Sequence, residues 1–236
     1  MNYQEIQFRI DNVRNRISVA TKKSERPDGS VTLLGACKQV DRERIVQAVE
    51  LGVDYLGENQ LQEAEQKFKA LGRPQGLNNL HLIGNLQSNK VKRAIELFDV
   101  IQSVDSVKLA SKINTIASQM GRVVPIYLEI NISGESTKNG ISPKELDKTI
   151  ELISECRNLN LLGLMTVPPQ ESNPEKSRPY FRMLREIKED INSMNITSVG
   201  SCDGLSMGMT NDFDVAIEEG ATLIRVGSAI WGSRPR

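Results

Sequence analysis

The chain has 236 residues, of which 39% are hydrophobic, enough to bury the core of one sizeable globular domain. Its 30 basic and 30 acidic residues cancel, so no net charge draws it to nucleic acid or to an anionic membrane surface. No apolar span is long enough to cross a membrane, and the amino end lacks the apolar segment of a signal peptide, so we expect a cytoplasmic protein.

The few cysteine and histidine residues argue against a structural metal site. The three cysteines, Cys37, Cys156 and Cys202, are widely spaced, and no pair forms a C-x-x-C motif. The single histidine, His81, cannot complete a usual zinc cage with them. We therefore expect free thiols and no structural metal.

A long amphipathic helix followed by a buried strand is predicted at the start of the chain. Ile6, Ile10 and Val13 recur at helical spacing within residues 3–24, and turn residues at 26–29 end that helix. Residues 31–38 form an apolar run that ends on Lys38, which is typical of a short buried strand. The next predicted elements are helix 42–51, strand 55–59, helix 61–71, strand 80–84, helix 90–98, strand 100–104 and helix 107–120.

The same alternation continues in the second half of the chain. Ser142, Pro143 and Glu145 have the pattern of an N-cap, a first helical residue and a third helical residue, so a helix is predicted from there to about residue 157. The other predicted elements are strand 123–131, strand 161–167, a helix within 174–194, strand 199–207, helix 212–219 and strand 223–228.

Eight strand-helix periods without a long linker predict a single domain over residues 1–236. That count and size favour an α/β fold of the (β/α)₈ TIM-barrel type with an extra N-terminal helix. The alternative is an open, doubly wound sheet. No G-x-G-x-x-G motif follows the first strand, so the sequence does not support a dinucleotide site in such a sheet.

Lys38 is the unusual residue of the first strand, and two interpretations of it are open. It could begin the next loop with its amine in water. Alternatively, a lysine at the carboxyl end of a buried strand lies where α/β folds build their sites.

In a barrel, the residues at the carboxyl ends of all eight strands meet at one mouth. A Ser-His-Asp triad is not expected there because His81 is the only imidazole, and no carboxylate cluster suggests a magnesium site. The predicted mouth residues are Lys38, Glu58, Asn59, Gly84, Asn85, Ser103, Asp105, Asn131, Ser133, Met165, Thr166, Ser206 to Met209 and Arg225 to Ser228.

Small residues and hydroxyls at the ends of the last two strands suggest an anion cradle. Gly227 and Ser228 would open a short final helix, and barrels commonly hold a phosphate at this place. Ordinary tight turns are the alternative. A phosphate cradle facing Lys38 suggests a phosphorylated aldehyde bound as a Schiff base, with pyridoxal 5′-phosphate (PLP) as the obvious candidate.

The chain resembles the pyridoxal phosphate homeostasis proteins, single-domain relatives of the barrel of alanine racemase, a fold-type III PLP protein. The resemblance covers nearly the whole chain, and many motifs occur in the family's order. They are LGACK (34–38), LGEN (56–59), HLIG (81–84) with LQSNK (86–90), INIS (130–133) with KNG (138–140), GLM (163–165), LSMGM (205–209) and RVGSAIWG (225–232).

The resemblance implies a role for each matching residue. Lys38 would form the Schiff base, Asn59 would line the pocket, and Ser206 with the backbone of Gly227 and Ser228 would hold the phosphate. Arg225 would lie near the pyridine nitrogen, where a permanently charged donor opposes protonation of the ring and weakens it as an electron sink. A structural salt bridge is the alternative for Arg225.

The resemblance also bears on catalysis. Alanine racemase takes a second base, a tyrosine, from a second domain that is not expected here, and the four tyrosines lie away from the predicted strand ends. We therefore expect a monomeric, non-enzymatic protein that stores, buffers or delivers PLP, with apo-PLP enzymes as partners. The alternatives are a racemase-like enzyme that uses Lys38 as its base, and a phosphate-binding barrel that needs no cofactor.

Overall fold

Eight parallel strands pair in sequence order, and the eighth pairs with the first, so the sheet closes into a barrel. This computed structural model describes residues 2–135, 137–194 and 202–232. The closed sheet confirms the predicted (β/α)₈ barrel and excludes the open one. The strands are β1 Thr32–Ala36, β2 Tyr55–Glu58, β3 Asn79–Leu82, β4 Val100–Val104, β5 Val124–Glu129, β6 Leu159–Met165, β7 Gly204–Ser206 and β8 Leu223–Val226.

Helices connect the strands and surround the barrel. Short 3₁₀ turns precede three of them, at Ser88–Lys90, Pro143–Glu145 and Pro174–Ser177, and a π-helical turn, Glu65–Lys69, continues α3. The helices are α1 Tyr3–Lys23, α2 Arg42–Glu50, α3 Leu61–Ala64, α4 Val91–Leu97, α5 Val107–Gln119, α6 Leu146–Ser154, α7 Arg178–Ser193, α8 Phe213–Glu218 and α9 Ser228–Trp231. Within the described ranges, no helix has the length and apolar character needed to span a membrane.

Strand alternation separates an outer from an inner side of the barrel. A Cβ on Gly35 would meet Val53, Leu56 and Trp231, so residue 35 faces the helical layer. By contrast, Tyr127 on β5 reaches the backbone of Gly204 on β7, which is not a neighbouring strand, so its ring lies inside the barrel. Most of the apolar core fills the space between sheet and helices.

Several strands end earlier than predicted, and this matters for the site. β1 ends at Ala36, so Cys37 and Lys38 already belong to the following loop, and β5 ends at Glu129. The pattern of apolar residues cannot locate these ends, because the first loop residues are also buried against the helices. Part of the predicted strand 199–207 lies outside the described residues.

Both ends of the described chain pack on the closing side of the barrel. The N-terminal helix α1 begins with a capping box, in which Asn2 accepts from the backbone N–H of Glu5 and the Glu5 carboxylate accepts from that of Asn2. The indole of Trp231 in α9 donates to the carbonyl of Ala36 at 2.9 Å. The last helix is thereby tied to the end of the first strand.

Replacing Gly163 by alanine should destabilise the barrel strongly. A Cβ there would meet the carbonyl oxygen of Gly204 well inside van der Waals contact, and backbone on a paired strand cannot give way. We expect a loss of about 3 kcal/mol in the free energy of unfolding, measured in urea. Gly121→Asn is the control, because φ is 63° there and nothing lies within 4 Å. Equal losses in both variants would contradict this account of β6–β7 packing.

Candidate functional site

Lys38 lies at the barrel mouth, two residues beyond the end of β1. It is half-buried, and among the described residues its amine makes no hydrogen bond or ion pair. The neighbouring Cys37 is fully buried, and its thiol lies 3.2 Å from a carboxylate oxygen of Glu58. Burial raises the pKa of that thiol well above its ordinary value. Cys37 is therefore a packed thiol, as predicted, and Lys38 carries the free nucleophilic group of this loop.

The end of β8 lies beside Lys38 because β8 pairs with β1. A Cβ on Gly227 would lie 3.6 Å from the carbonyl oxygen of Ala36. The backbone N–H groups of Gly227 and Ser228 have no hydrogen-bond partner in the described ranges, whereas the next N–H, of Ala229, donates to Thr210. Two free donors thus lie at the start of α9, as predicted for an anion cradle.

Arg225 is a buried cation below this mouth. Its guanidinium donates to the hydroxyl of Ser206 at 2.6 Å and to the carbonyl of Thr166 at 2.8 Å. Burial lowers its pKa to about 10, and the charges of Glu129 and Asp212 oppose that shift, so the group is charged at neutral pH. It makes no ion pair with any described residue, so the structural salt bridge considered above is not found.

A chain of hydrogen bonds crosses the barrel from β8 to β3. The Ser206 hydroxyl, which accepts from Arg225, donates to Oε1 of Gln102 at 2.6 Å. The amide nitrogen of Gln102 lies 2.7 Å from Nδ1 of His81. Because β4 and β7 are not neighbours, the bond between Gln102 and Ser206 must pass through the barrel interior.

The direction of these bonds fixes the state of His81. Gln102 presents its oxygen to Ser206 and therefore its N–H₂ group to His81, so Nδ1 of the imidazole is the acceptor. The proton is then on Nε2, which is buried without a partner. Burial lowers the pKa of His81 to about 4, so the ring is neutral. His81 is thus neither a fully satisfied structural histidine nor a residue exposed in the mouth.

Glu129, the last residue of β5, adds a carboxyl group near Arg225. Burial, helped by the charge of Asp105 and opposed by that of Arg225, raises its pKa to about 7. Its protonation therefore changes near neutral pH.

Asn59 follows β2, the strand that pairs with β1 on the side away from β8. It lines a cavity of about 200 Å³ together with Leu82, Asn85 and Lys90. Gly84 is needed beside it, since any Cβ there would overlap the Asn59 backbone. Amide groups and one lysine make this part of the rim polar.

The structure places the predicted site residues at two depths, and two further polar residues lie near them. Lys38, Gly227 and Ser228 lie in the loops that leave β1 and β8, while Arg225 and Ser206 lie buried beneath the mouth. The hydroxyl of Ser206 is already bonded to Gln102 and Arg225. Gln102 and Glu129 were not predicted. The signal for Gln102 is a polar residue within the apolar run of β4. All three cysteines are unpaired, and the described residues hold no group of three or more potential metal ligands.

The neutral state of His81 predicts an acid-dependent stability difference between the wild type and His81→Gln. In the unfolded chain the imidazole takes up a proton near its ordinary pKa of 6.5, whereas the folded protein resists until about 4. The contribution of His81 to the free energy of unfolding is thus fully present above pH 6.5. It decreases by about 3 kcal/mol as the pH falls from 6.5 to 4.

The measurement is urea unfolding of both proteins between pH 7.5 and 4. Glu129, with its raised pKa, shifts stability in the opposite direction over part of this range, so only the difference between the two curves isolates His81. That difference should shrink as the pH falls. A difference that does not change with pH would show that the buried ring is not held neutral.

The family model for the alanine racemase N-terminal domain matches residues 9–235 of the chain. The pyridoxal phosphate homeostasis protein of Aquifex aeolicus is 40% identical over 228 residues, which cover 96% of this chain and 97% of that protein.

Solved structures agree with this match. PipY of Synechococcus elongatus, with PLP bound, superposes with a TM-score of 0.77 at 30% identity, covering 93% of this chain and 100% of that one. Alanine racemase of Clostridium difficile has a TM-score of 0.72 at 16% identity, covers 99% of this chain and 58% of that one, and supports the fold alone. On its barrel fold, its family match and its full-length relatives, the chain belongs to the pyridoxal phosphate homeostasis protein family.

Proposed function

We propose that the protein binds PLP at the barrel mouth and serves PLP homeostasis by storing, buffering or delivering the cofactor. The observation that carries the proposal is that a lysine without a bonded partner in the described ranges and two free backbone N–H donors occur in the loops that leave the paired strands β1 and β8. An aldehyde and a phosphate on one small molecule fit that donor set. The relatives' names, and the PLP bound to PipY, support the same ligand.

Lys38 and the start of α9 would hold the two reactive ends of the cofactor. Lys38 would hold PLP through its amine, and the cofactor would supply an aldehyde with which that amine can condense with loss of water. The N–H groups of Gly227 and Ser228 would donate to the phosphate, which carries the negative charge that a helix start favours. Asn59 would line the pocket at the end of β2, next to the loop that carries Lys38.

Arg225 would face the pyridine nitrogen, with Ser206 as its support. A guanidinium can only donate, so it would leave the ring nitrogen unprotonated and limit the ring as an electron sink. Because the Ser206 hydroxyl accepts from Arg225 and donates to Gln102, we propose that it acts here by orienting Arg225. A direct contact of this hydroxyl with the phosphate, as the resemblance implied, would require those bonds to rearrange.

The non-enzymatic interpretation also draws on the positions of the tyrosines. Tyr3 lies on α1 and Tyr180 on α7, and Tyr55 begins β2, away from the mouth. Tyr127 is buried inside the barrel, where burial raises its pKa to about 12. No tyrosine is therefore placed as a second base opposite Lys38. We propose a monomeric cytoplasmic carrier that hands PLP to apo-enzymes; a racemase-like enzyme is the second candidate, because the alanine racemase fold is shared.

The Lys38 assignment is tested by trapping the bound cofactor. The purified protein is mixed with PLP, reduced with borohydride and digested, and the labelled peptide is identified by mass spectrometry. We expect the label on Lys38, and at least a tenfold loss of PLP affinity in Lys38→Ala because the covalent link is removed. Lys92→Ala, at an exposed lysine of α4, should bind normally. A label on another lysine would overturn the assignment.

Carrier and enzyme are separated by exchange of the α-proton. The PLP-loaded protein is incubated in deuterated water with single enantiomers of amino acids, alanine among them, and followed by proton NMR and chiral chromatography. A carrier should give no turnover above free PLP, since no tyrosine is placed as a second base at the mouth. Multiple turnovers that Lys38→Ala abolishes would establish the enzyme instead.

A further inference from the structure

A cluster of three charged side chains holds the loop on both sides of Lys38. The ammonium of Lys67 donates to the carbonyl of Cys37, to a carboxylate oxygen of Glu58 and to one of Glu63, each at 2.7 Å. All three protons of the ammonium are thereby used. The carbonyl that precedes Lys38 is fixed by this bond.

The backbone that follows Lys38 is fixed by the same cluster. The carboxylate oxygen of Glu63 that contacts Lys67 also accepts from the N–H of Gln39 at 2.5 Å. Gln39 has a φ of 59°, in the left-handed region that residues other than glycine rarely adopt. Gln39 thus keeps a backbone conformation that costs free energy. Such a conformation persists only where contacts with neighbouring groups stabilise it.

The position of Lys67 depends on an irregular helix. After one turn of α3 the chain forms the π-helical turn Glu65–Lys69, in which the N–H of Ala70 bonds to the carbonyl of Glu65. The wider turn changes the direction of the side chains that follow α3. Glu58 requires the cation, since its side chain is 0% exposed, and Lys67 opposes the rise in its pKa that burial causes.

We propose that Lys67, Glu58 and Glu63 are positioning residues that aim the amine of Lys38 at the cofactor aldehyde. A lysine side chain is flexible, so fixing the peptide on both sides defines where its amine can reach while leaving that amine free. The proposal rests on the proposed function. A purely structural role of the three residues would affect every ligand of the site. The positioning role affects only the condensation of amine and aldehyde, which forms the C=N bond and releases water.

The test compares two ligands on variants of Glu63. Lys67→Met would leave the buried carboxylate of Glu58 without its cation and would strongly disfavour folding, whereas Glu63 is 20% exposed. Dissociation constants are measured for PLP and for pyridoxine 5′-phosphate, which keeps the ring and phosphate but has no aldehyde. Glu63→Ala should weaken PLP about five- to tenfold and leave pyridoxine 5′-phosphate unchanged. Glu63→Gln, which keeps an oxygen for Gln39, should recover much of the loss.

Glu65→Ala is the matched control. Glu65 lies in the π turn that also contains Lys67, and it pairs with Arg93. It makes no hydrogen bond or ion pair with a described residue of the loop around Lys38. Both affinities should therefore stay at the wild-type value. Equal weakening of the two ligands in Glu63→Ala, or no weakening of either, would overturn the positioning role while leaving the proposed function intact. Failure of the wild type to bind PLP through Lys38 would overturn both.

Discussion

The pairing of β8 with β1 is the constraint on which the rest of the site depends. It joins Thr32 to Leu223 and Gly35 to Val226, and so brings opposite ends of the chain to one seam. The loop that carries Lys38 and the loop that carries Gly227 leave this seam side by side. Trp231 reinforces it, because its indole bonds to the last carbonyl of β1. The pairing of the two strands thereby brings the loop of Lys38 close to the N–H groups of Gly227 and Ser228.

Beneath the seam, the barrel interior contains a buried cation whose hydrogen bonds, among the described residues, go to neutral groups, while the charges of Glu129 and Asp212 favour its charged form. Burying a charge is costly unless hydrogen bonds replace its water, and Arg225 has a hydroxyl and a carbonyl in that role. Ser206 can accept from Arg225 because it donates to Gln102, and Gln102 can offer its oxygen because its amide nitrogen faces His81. The orientation of the arginine is thus linked to a neutral imidazole on the far side of the barrel.

The fold and part of the site were predictable from sequence for a shared physical reason. Eight strand-helix periods favour a parallel barrel, and a parallel barrel places every strand's carboxyl end at one mouth. That rule places Lys38, Gly227 and Ser228 among the mouth residues, and the family resemblance singles them out from the others. Their meeting at the seam could be predicted because it depends on topology and not on side-chain packing.

The remaining features depend on three-dimensional packing that periodicity does not encode. Gln102 lies within a strand, and its importance comes from a bond to the non-adjacent strand β7. Ser206 ends its strand as predicted, yet its burial commits the hydroxyl to the interior network. Lys67 carries no signal beyond an ordinary helical lysine, because its contacts come from three separate segments and a π turn. Sequence patterns therefore predicted the position of the mouth, but not the side chains that orient its residues.

The most direct test of the central claim is a crystal structure of the protein grown with PLP. We predict electron density that is continuous from Nζ of Lys38 to the cofactor, with the phosphate within hydrogen-bond distance of the Gly227 and Ser228 N–H groups and Arg225 facing the ring nitrogen. Density for PLP elsewhere on the chain, or a phosphate held away from the start of α9, would contradict it.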